Sequence, residues 1–166
     1  MADVDILIED DRWDTPHFAA QVAAACEATL AELDLSGPFE ISLLACDDAR
    51  IAGLNTEFRD KPGPTNVLSW PSEDRAPDSP GALPHLPEAG DPMASELGDI
   101  AIAYETCARE AAEQGKAFGD HVTHLLVHGT LHLLGFDHIN DADAARMEGL
   151  EVRILANLGL PDPYRG

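Results

Sequence analysis

The segment His128-Gly129-Thr130-Leu131-His132-Leu133-Leu134-Gly135-Phe136-Asp137-His138 constrains the fold of this chain more than any other. Its first two histidines are four residues apart, which on an α-helix puts both imidazoles on one face, one turn from each other. Gly135 then offers a left-handed stop, so the chain can turn and bring His138 back toward the pair. Three neutral imidazoles converging in this way make a zinc site with a fourth position open to water, the arrangement of a catalytic zinc; a structural site usually closes all four positions with protein ligands.

What the pattern lacks narrows the chemistry. In the metallopeptidase motif H-E-x-x-H the glutamate is the base that activates the zinc water, and a longer version adds a glycine and a third histidine at the spacing seen here. This chain matches every histidine and the glycine but carries Gly129 in place of the glutamate. Peptide hydrolysis is therefore disfavoured, and another metal-assisted reaction is expected.

Two further blocks stand upstream. One is Leu54-Asn55-Thr56-Glu57-Phe58-Arg59, followed by Pro64-Thr65-Asn66-Val67-Leu68-Ser69-Trp70-Pro71; the other is Glu96-Leu97-Gly98-Asp99-Ile100-Ala101-Ile102. With the histidine block they resemble, in the same order, the YbeY family of bacterial endoribonucleases, the rRNA maturation factors. The resemblance spans roughly the C-terminal two-thirds of the chain. It implies a single-strand-specific, zinc-dependent endoribonuclease in rRNA processing, acting in late 3′-end maturation of small-subunit rRNA and in ribosome quality control. It implies a single Zn2+ ion per chain, held by His128, His132 and His138. The implied partners are single-stranded RNA and the ribosome or small-subunit ribosomal proteins, with no DNA, in the cytoplasm. Two positions depart from the family pattern: Asn66 stands where aspartate is usual, which removes a charge near the expected site, and Trp70 stands where phenylalanine is usual.

The formal net charge is −21, from 31 acidic and 10 basic residues, and such a surface repels nucleic acid at long range. A local basic pocket, a metal cation or a ribosomal partner has to overcome that field. Two other classes therefore stay open: a zinc hydrolase of another kind acting on a small substrate, and a non-enzymatic ribosome-assembly factor whose zinc only fixes the fold. With 166 residues, one domain with a real core is expected over 1–166. No secretory signal is read at the start, and no run reaches the roughly 18 apolar residues of a membrane helix. Cys26, Cys46 and Cys107 are scattered and odd in number, which suits reduced thiols in a cytoplasmic protein better than disulfides or zinc ligands.

Strands are expected at Val4–Ile8, Phe39–Cys46, Val67–Trp70 and Leu97–Tyr104. A first helix is expected to open at Pro16 with Thr15 as N-cap and to bury Phe18, Val22, Cys26, Leu30 and Leu33. Asp47 and Asp48 can cap a second helix burying Ile51, Leu54 and Phe58. Residues 71–95, rich in proline, glycine and acid, are expected to form a mobile flap or a disordered insertion; His85 within them reads as a solvated loop residue. A helix at Glu105–Lys116, the metal helix at Asp120–Leu134 and a last helix capped by Asp141, with Met147, Leu150, Ile154 and Leu158 inward, complete the chain. Strands and helices mix without strict alternation, so the fold class is α+β: a single mixed sheet of about four strands with packed helices, the metal histidines on a central helix and the turn after it.

Around the three ligands, His124 lies one turn before His128 on the same face. Three histidines on successive turns span about 12 Å, too far for a tetrahedral ion with bonds near 2 Å, so His124 is expected near the substrate or behind the ligands, as a candidate catalytic group. His121 reads as structural or exposed. Asp137 can orient an imidazole or cap the turn at Gly135. Arg59 matches the arginine that the family places in its pocket, where a planar guanidinium contacts two phosphate oxygens and offsets developing charge; on spacing alone a salt bridge to one of the many acids is the stronger reading. Ser69 and Thr65 are either hydrogen-bond donors to substrate or strand-end residues. The general base stays unassigned.

Overall fold

The structure is a computed structural model that describes residues 2–35, 38–87 and 95–164. Its strands are β1 (Ala2–Ile8), β2 (Phe39–Cys46), β3 (Val67–Pro71) and β4 (Glu96–Ala103); β4 is buried over most of its length, as suits a strand covered on both faces. The strands form one sheet in the order β1-β2-β4-β3. The first three run parallel and β3 is antiparallel to β4, so the sheet is mixed and the fold α+β, as the sequence implies. Along β2, Phe39, Ile41 and Leu43 are buried while Glu40 and Ser42 face water.

Five helices join it: α1 (Phe18–Glu32), α2 (Asp48–Arg59), α3 (Tyr104–Gln114), α4 (Phe118–Leu133) and α5 (Asp141–Asn157). Helices α1, α4 and α5 share one large core with the Phe39–Leu43 face, while α2 packs Ile51 and Leu54 on the other face against Leu68, Ala101 and Ala103. Helix α4 is the centre: Val122, Leu126, Val127, Thr130, Leu131 and Leu133 are all buried. It lies close to the sheet at Gly129, where a Cβ would stand 3.3 Å from both Ile100 Cδ1 and Ser69 Oγ. Among the described residues no helix is long and apolar enough to cross a membrane.

Several local expectations change. Helix α1 starts at Phe18 with His17 at the N-cap and no side-chain cap; the Phe18 N–H donates to the Thr15 carbonyl instead. Tyr104 belongs to α3, not to the strand, because the chain turns helical directly after Ala103. Asn140, not Asp141, caps α5, its side chain accepting from the Asp143 N–H. Asp47 does cap α2, while Asp48 accepts from the Thr106 N–H and hydroxyl and so ties α3 to α2. Phe58, expected on the buried face of α2, is 59% exposed, in edge contact with Trp70 5.9 Å away.

Of the stretch expected as a flap, residues 88–94 lie outside the described residues; residues 72–87 contain no helix or strand and are tied to the body. Ser72 N–H donates to the Leu97 carbonyl. Buried Arg75 donates from Nη1 to the Leu133 carbonyl at 3.0 Å, meeting the negative end of α4. Gly81 N–H donates to Asp143, and Arg146 donates to the Gly81 carbonyl. His85 is exposed and pairs with Asp78.

Candidate metal centre

The end of α4 builds the centre. Leu134 is its C-cap, the Gly135 N–H donates to the His132 carbonyl and the Phe136 N–H to the Leu131 carbonyl, which is the Schellman way of ending a helix. Gly135 has φ +101°, and a Cβ there would stand 2.5 Å from the Arg75 carbonyl oxygen. Glycine is required on both counts. Phe136 then drops into the core and the chain returns His138 to the helix face.

The three expected imidazoles meet. Ring centroids of His128 and His132 are 4.5 Å apart, of His132 and His138 5.2 Å, and of His128 and His138 5.5 Å. One nitrogen from each lies within 4.8 Å of the others, so the group could hold a metal ion. The Nε2 atoms of His128 and His132 are 3.0 Å apart. The Nδ1 of His132 donates to the Phe136 carbonyl at 2.9 Å, and the Nδ1 of His128 faces Glu151 Oε1 at 3.3 Å. With both Nδ1 atoms engaged, both Nε2 lone pairs are aimed at one point, and three imidazoles are a donor set that fits a borderline divalent ion. Burial, then the neighbouring His128 and His138, pull the His132 imidazole down to about 4 against the opposing pull of Asp137. It is therefore neutral at pH 7, as a ligand must be.

Asp137 serves the turn: its Oδ1 accepts from the His138 N–H at 2.8 Å, while His132 Nδ1 is 3.8 Å away, beyond a hydrogen bond. A cleft of about 410 Å³ opens over the histidines, and Arg59, Thr65, Asn66 and Arg75 share its wall. Arg59 ends α2 and donates from Nη2 to the Ser69 carbonyl, which leaves other donors of the planar group for a ligand. Ser69 is buried, borders the cleft, and its hydroxyl donates to the Gly129 carbonyl, joining strand to helix. Gly129 faces the sheet, away from the cleft, with no room for a longer side chain. Trp70 lies in the opposite core, so that departure from the family pattern does not touch the centre.

Asn66 explains the other departure. Its Nδ2 donates to Glu110 Oε1 at 2.9 Å, and the same oxygen accepts from His121 Nε2 at 2.9 Å. An aspartate there would set two carboxylates against each other. His121 is buried and structural.

The structure places His124 behind His128, away from the cleft. Its ring lines a neighbouring cavity with His121, Glu110 and Tyr164, and its Nε2 donates to Glu151 Oε1 at 2.6 Å. Of the two positions expected for His124, near the substrate or behind the ligands, its contacts are those of the second. Burial pushes the Glu151 carboxyl up, but hydrogen bonds from His124 and His128 and their charge outweigh it and hold the group down at about 2. Glu151 and Arg75 escaped the sequence reading. The signal for Glu151 was present: a lone acid at the inward spacing of Met147, Leu150 and Ile154. Arg75 is one basic residue in an acidic loop, with nothing local to mark it. The three cysteines are buried and free, and burial pushes all three thiols up, so none acts as a thiolate.

Known proteins resemble this chain over nearly its whole length. The family model described as Endoribonuclease YbeY matches residues 4–159. A Dinoroseobacter shibae protein named Endoribonuclease YbeY is 67% identical over 98% of this chain and 91% of its own length. One of the same name from a Jannaschia species is 61% identical over 98% of this chain and 99% of its own. The solution structure of a Thermotoga maritima protein has a TM-score of 0.56 at 18% identity, covering 99% of this chain and 100% of that one, a likeness of fold.

Proposed function

The chain belongs to the YbeY family of endoribonucleases, and on that premise we propose that it is a zinc-dependent endoribonuclease for single-stranded RNA, acting in the cytoplasm in late 3′-end maturation of small-subunit rRNA and in ribosome quality control. The observation that carries this reading is the meeting of three histidines and Arg59 in one cleft. When bound, zinc would supply Lewis acidity toward a phosphoryl oxygen and lower the pKa of water toward about 7.

The chain's own residues do the rest. Arg59, held by the Ser69 carbonyl, contacts the scissile phosphate and offsets the negative charge that grows on it. The Phe136 carbonyl and Glu151 keep His132 and His128 in the tautomer that presents Nε2. His124 acts through Glu151 and not on substrate. Arg59 is the exposed guanidinium of a cleft that Glu73, Asp74 and Asp137 also line, so the bound cation has to offset their charge toward RNA, and the acidic exterior of a chain of net charge −21 suits docking on basic ribosomal proteins. Gly129, packed on the sheet, leaves no place for a peptidase base.

The test is cleavage of a single-stranded rRNA fragment by wild type and by His132→Ala, purified side by side with zinc content measured. Loss of both zinc and cleavage in a still-folded variant is expected. Equal cleavage by the two proteins would refute the reading.

A further inference from the structure

Among the described residues Glu151 is the only fully buried carboxylate. Three groups converge on its Oε1: His124 Nε2 at 2.6 Å, the Tyr164 hydroxyl at 2.9 Å and His128 Nδ1 at 3.3 Å. Its Oε2 has no hydrogen-bond partner. A buried carboxylate with one oxygen unpaired is costly, and an apolar residue of similar size would pack α5 against α4 more favourably. Packing therefore does not account for an acid here.

The geometry points to Glu151 as a positioning residue of the metal centre, with His124 and Tyr164 as the clamps that hold its carboxylate against His128. Rings at His128 and His138 are free to rotate unless something fixes them, and for His128 that group is Glu151. By accepting the Nδ1–H it selects the tautomer, aims Nε2 at the ion and makes that nitrogen a stronger donor. Tyr164, whose ring meets that of His124 edge-on at 5.6 Å, brings the C-terminal segment into the same network. The inference rests on reading the three histidines as a zinc site.

The same atoms could be taken for a second ion site, since His124, His128 and Glu151 offer ligand atoms within 4.8 Å. The 2.6 Å between His124 and Glu151 speaks against it. Two ligands of a tetrahedral zinc with bonds near 2.1 Å stand roughly 3.4 Å apart, so the short contact is a hydrogen bond. A second ion would also require His128 to lose both ring protons.

Zinc-free wild type, Glu151→Gln and Tyr164→Phe would be titrated with zinc against a chromophoric chelator. Thermal unfolding of the zinc-free proteins and side-chain 15N–1H spectra of the zinc-loaded wild type complete the set. Wild type should bind one zinc with His128 as the Nδ1–H tautomer. Glu151→Gln should bind zinc about tenfold or more weakly, with zinc-free unfolding within a few degrees of wild type. Tyr164→Phe should weaken binding by a smaller factor. Unchanged affinity in both variants overturns the inference, as does a His128 that carries its proton on Nε2. If Glu151→Gln does not fold, Tyr164→Phe decides alone, and wild-type affinity there overturns it. A wild type that binds no zinc sinks the zinc reading itself, and two ions per chain would replace the hydrogen-bonded clamp by a second site.

Discussion

Replacing Gly135 by alanine tests whether the turn beyond α4 is what assembles the metal centre. The backbone there has φ +101°, and an added Cβ would stand 2.5 Å from the Arg75 carbonyl oxygen and 2.8 Å from both Arg75 Cβ and Pro84 Cβ. A non-glycine residue in left-handed backbone costs about 1–2 kcal/mol. Forcing a methyl into a packed site costs typically about 1–3 kcal/mol, and here two of the three near atoms belong to backbone or a ring that cannot swing aside. The sum is about 2–5 kcal/mol, a large share of the roughly 5–15 kcal/mol that holds a domain together. For a chain of this size each kcal/mol lowers the melting temperature by about 2–4 °C, so a fall of roughly 4–20 °C is expected for the zinc-free protein. Zinc binding should weaken as well, because relief of the clash moves His138. Gly53→Ala and Gly149→Ala are the controls: both lie in helices with nothing within 4 Å of an added Cβ, and each should be neutral or stabilising by about 0.4–1 kcal/mol. Urea and thermal unfolding of all four proteins give the comparison. A Gly135→Ala protein that melts with the controls and binds zinc like wild type would refute the reasoning.

Arg59→Ala should lower RNA cleavage about 10²–10³-fold with zinc content and melting temperature unchanged, since Arg59 is exposed; full activity would remove it from the phosphate site. In the zinc-free protein, stability should fall on acidification between about pH 6.5 and about 4: the unfolded His132 takes up a proton near 6.5 and the folded one only near 4, so in that window the unfolded chain binds more protons. A flat urea midpoint across that range would contradict it, and His132→Gln should flatten it. Gly129→Glu, which restores the metallopeptidase pattern, should unfold more readily and show no peptidase activity, because the new side chain meets Ile100 and Ser69 rather than the cleft; a stable, active peptidase would show that the helix turns its other face to the site. Chelation should abolish cleavage, with recovery on zinc addition, while circular dichroism stays helical, because the core around α4 contains none of the three ligands.

The site was legible where short-range geometry decides. His128 and His132 share a face because the helix repeats every 3.6 residues, and Gly135 marks the turn because only glycine takes that backbone without strain. Strand alternation in β2 and the apolar stripes of α4 and α5 were readable for the same reason. The misreadings fall where a neighbour distant in the chain decides. Thr15 looked like a cap, but the chain reaches helical geometry only at Phe18. Phe58 looked buried by its spacing and is exposed, its ring edge-on to Trp70 at the end of α2. Ser69, open on sequence between a donor to substrate and a strand-end residue, has its hydroxyl on the Gly129 carbonyl sixty residues away.

The same division separates the three clustered histidines from what supports them. By itself the sequence determined an α+β chain with three imidazoles brought to one point, since one helical turn and one glycine suffice for that. Only the tertiary structure decided that Glu151 stands behind His128, that Arg75 meets the end of α4, and that His124 faces away from the cleft. Those contacts join α5, a loop and the C-terminal segment to α4 across 23, 58 and 40 residues of chain, and no periodicity within one element carries information about which distant side chain its buried face will meet.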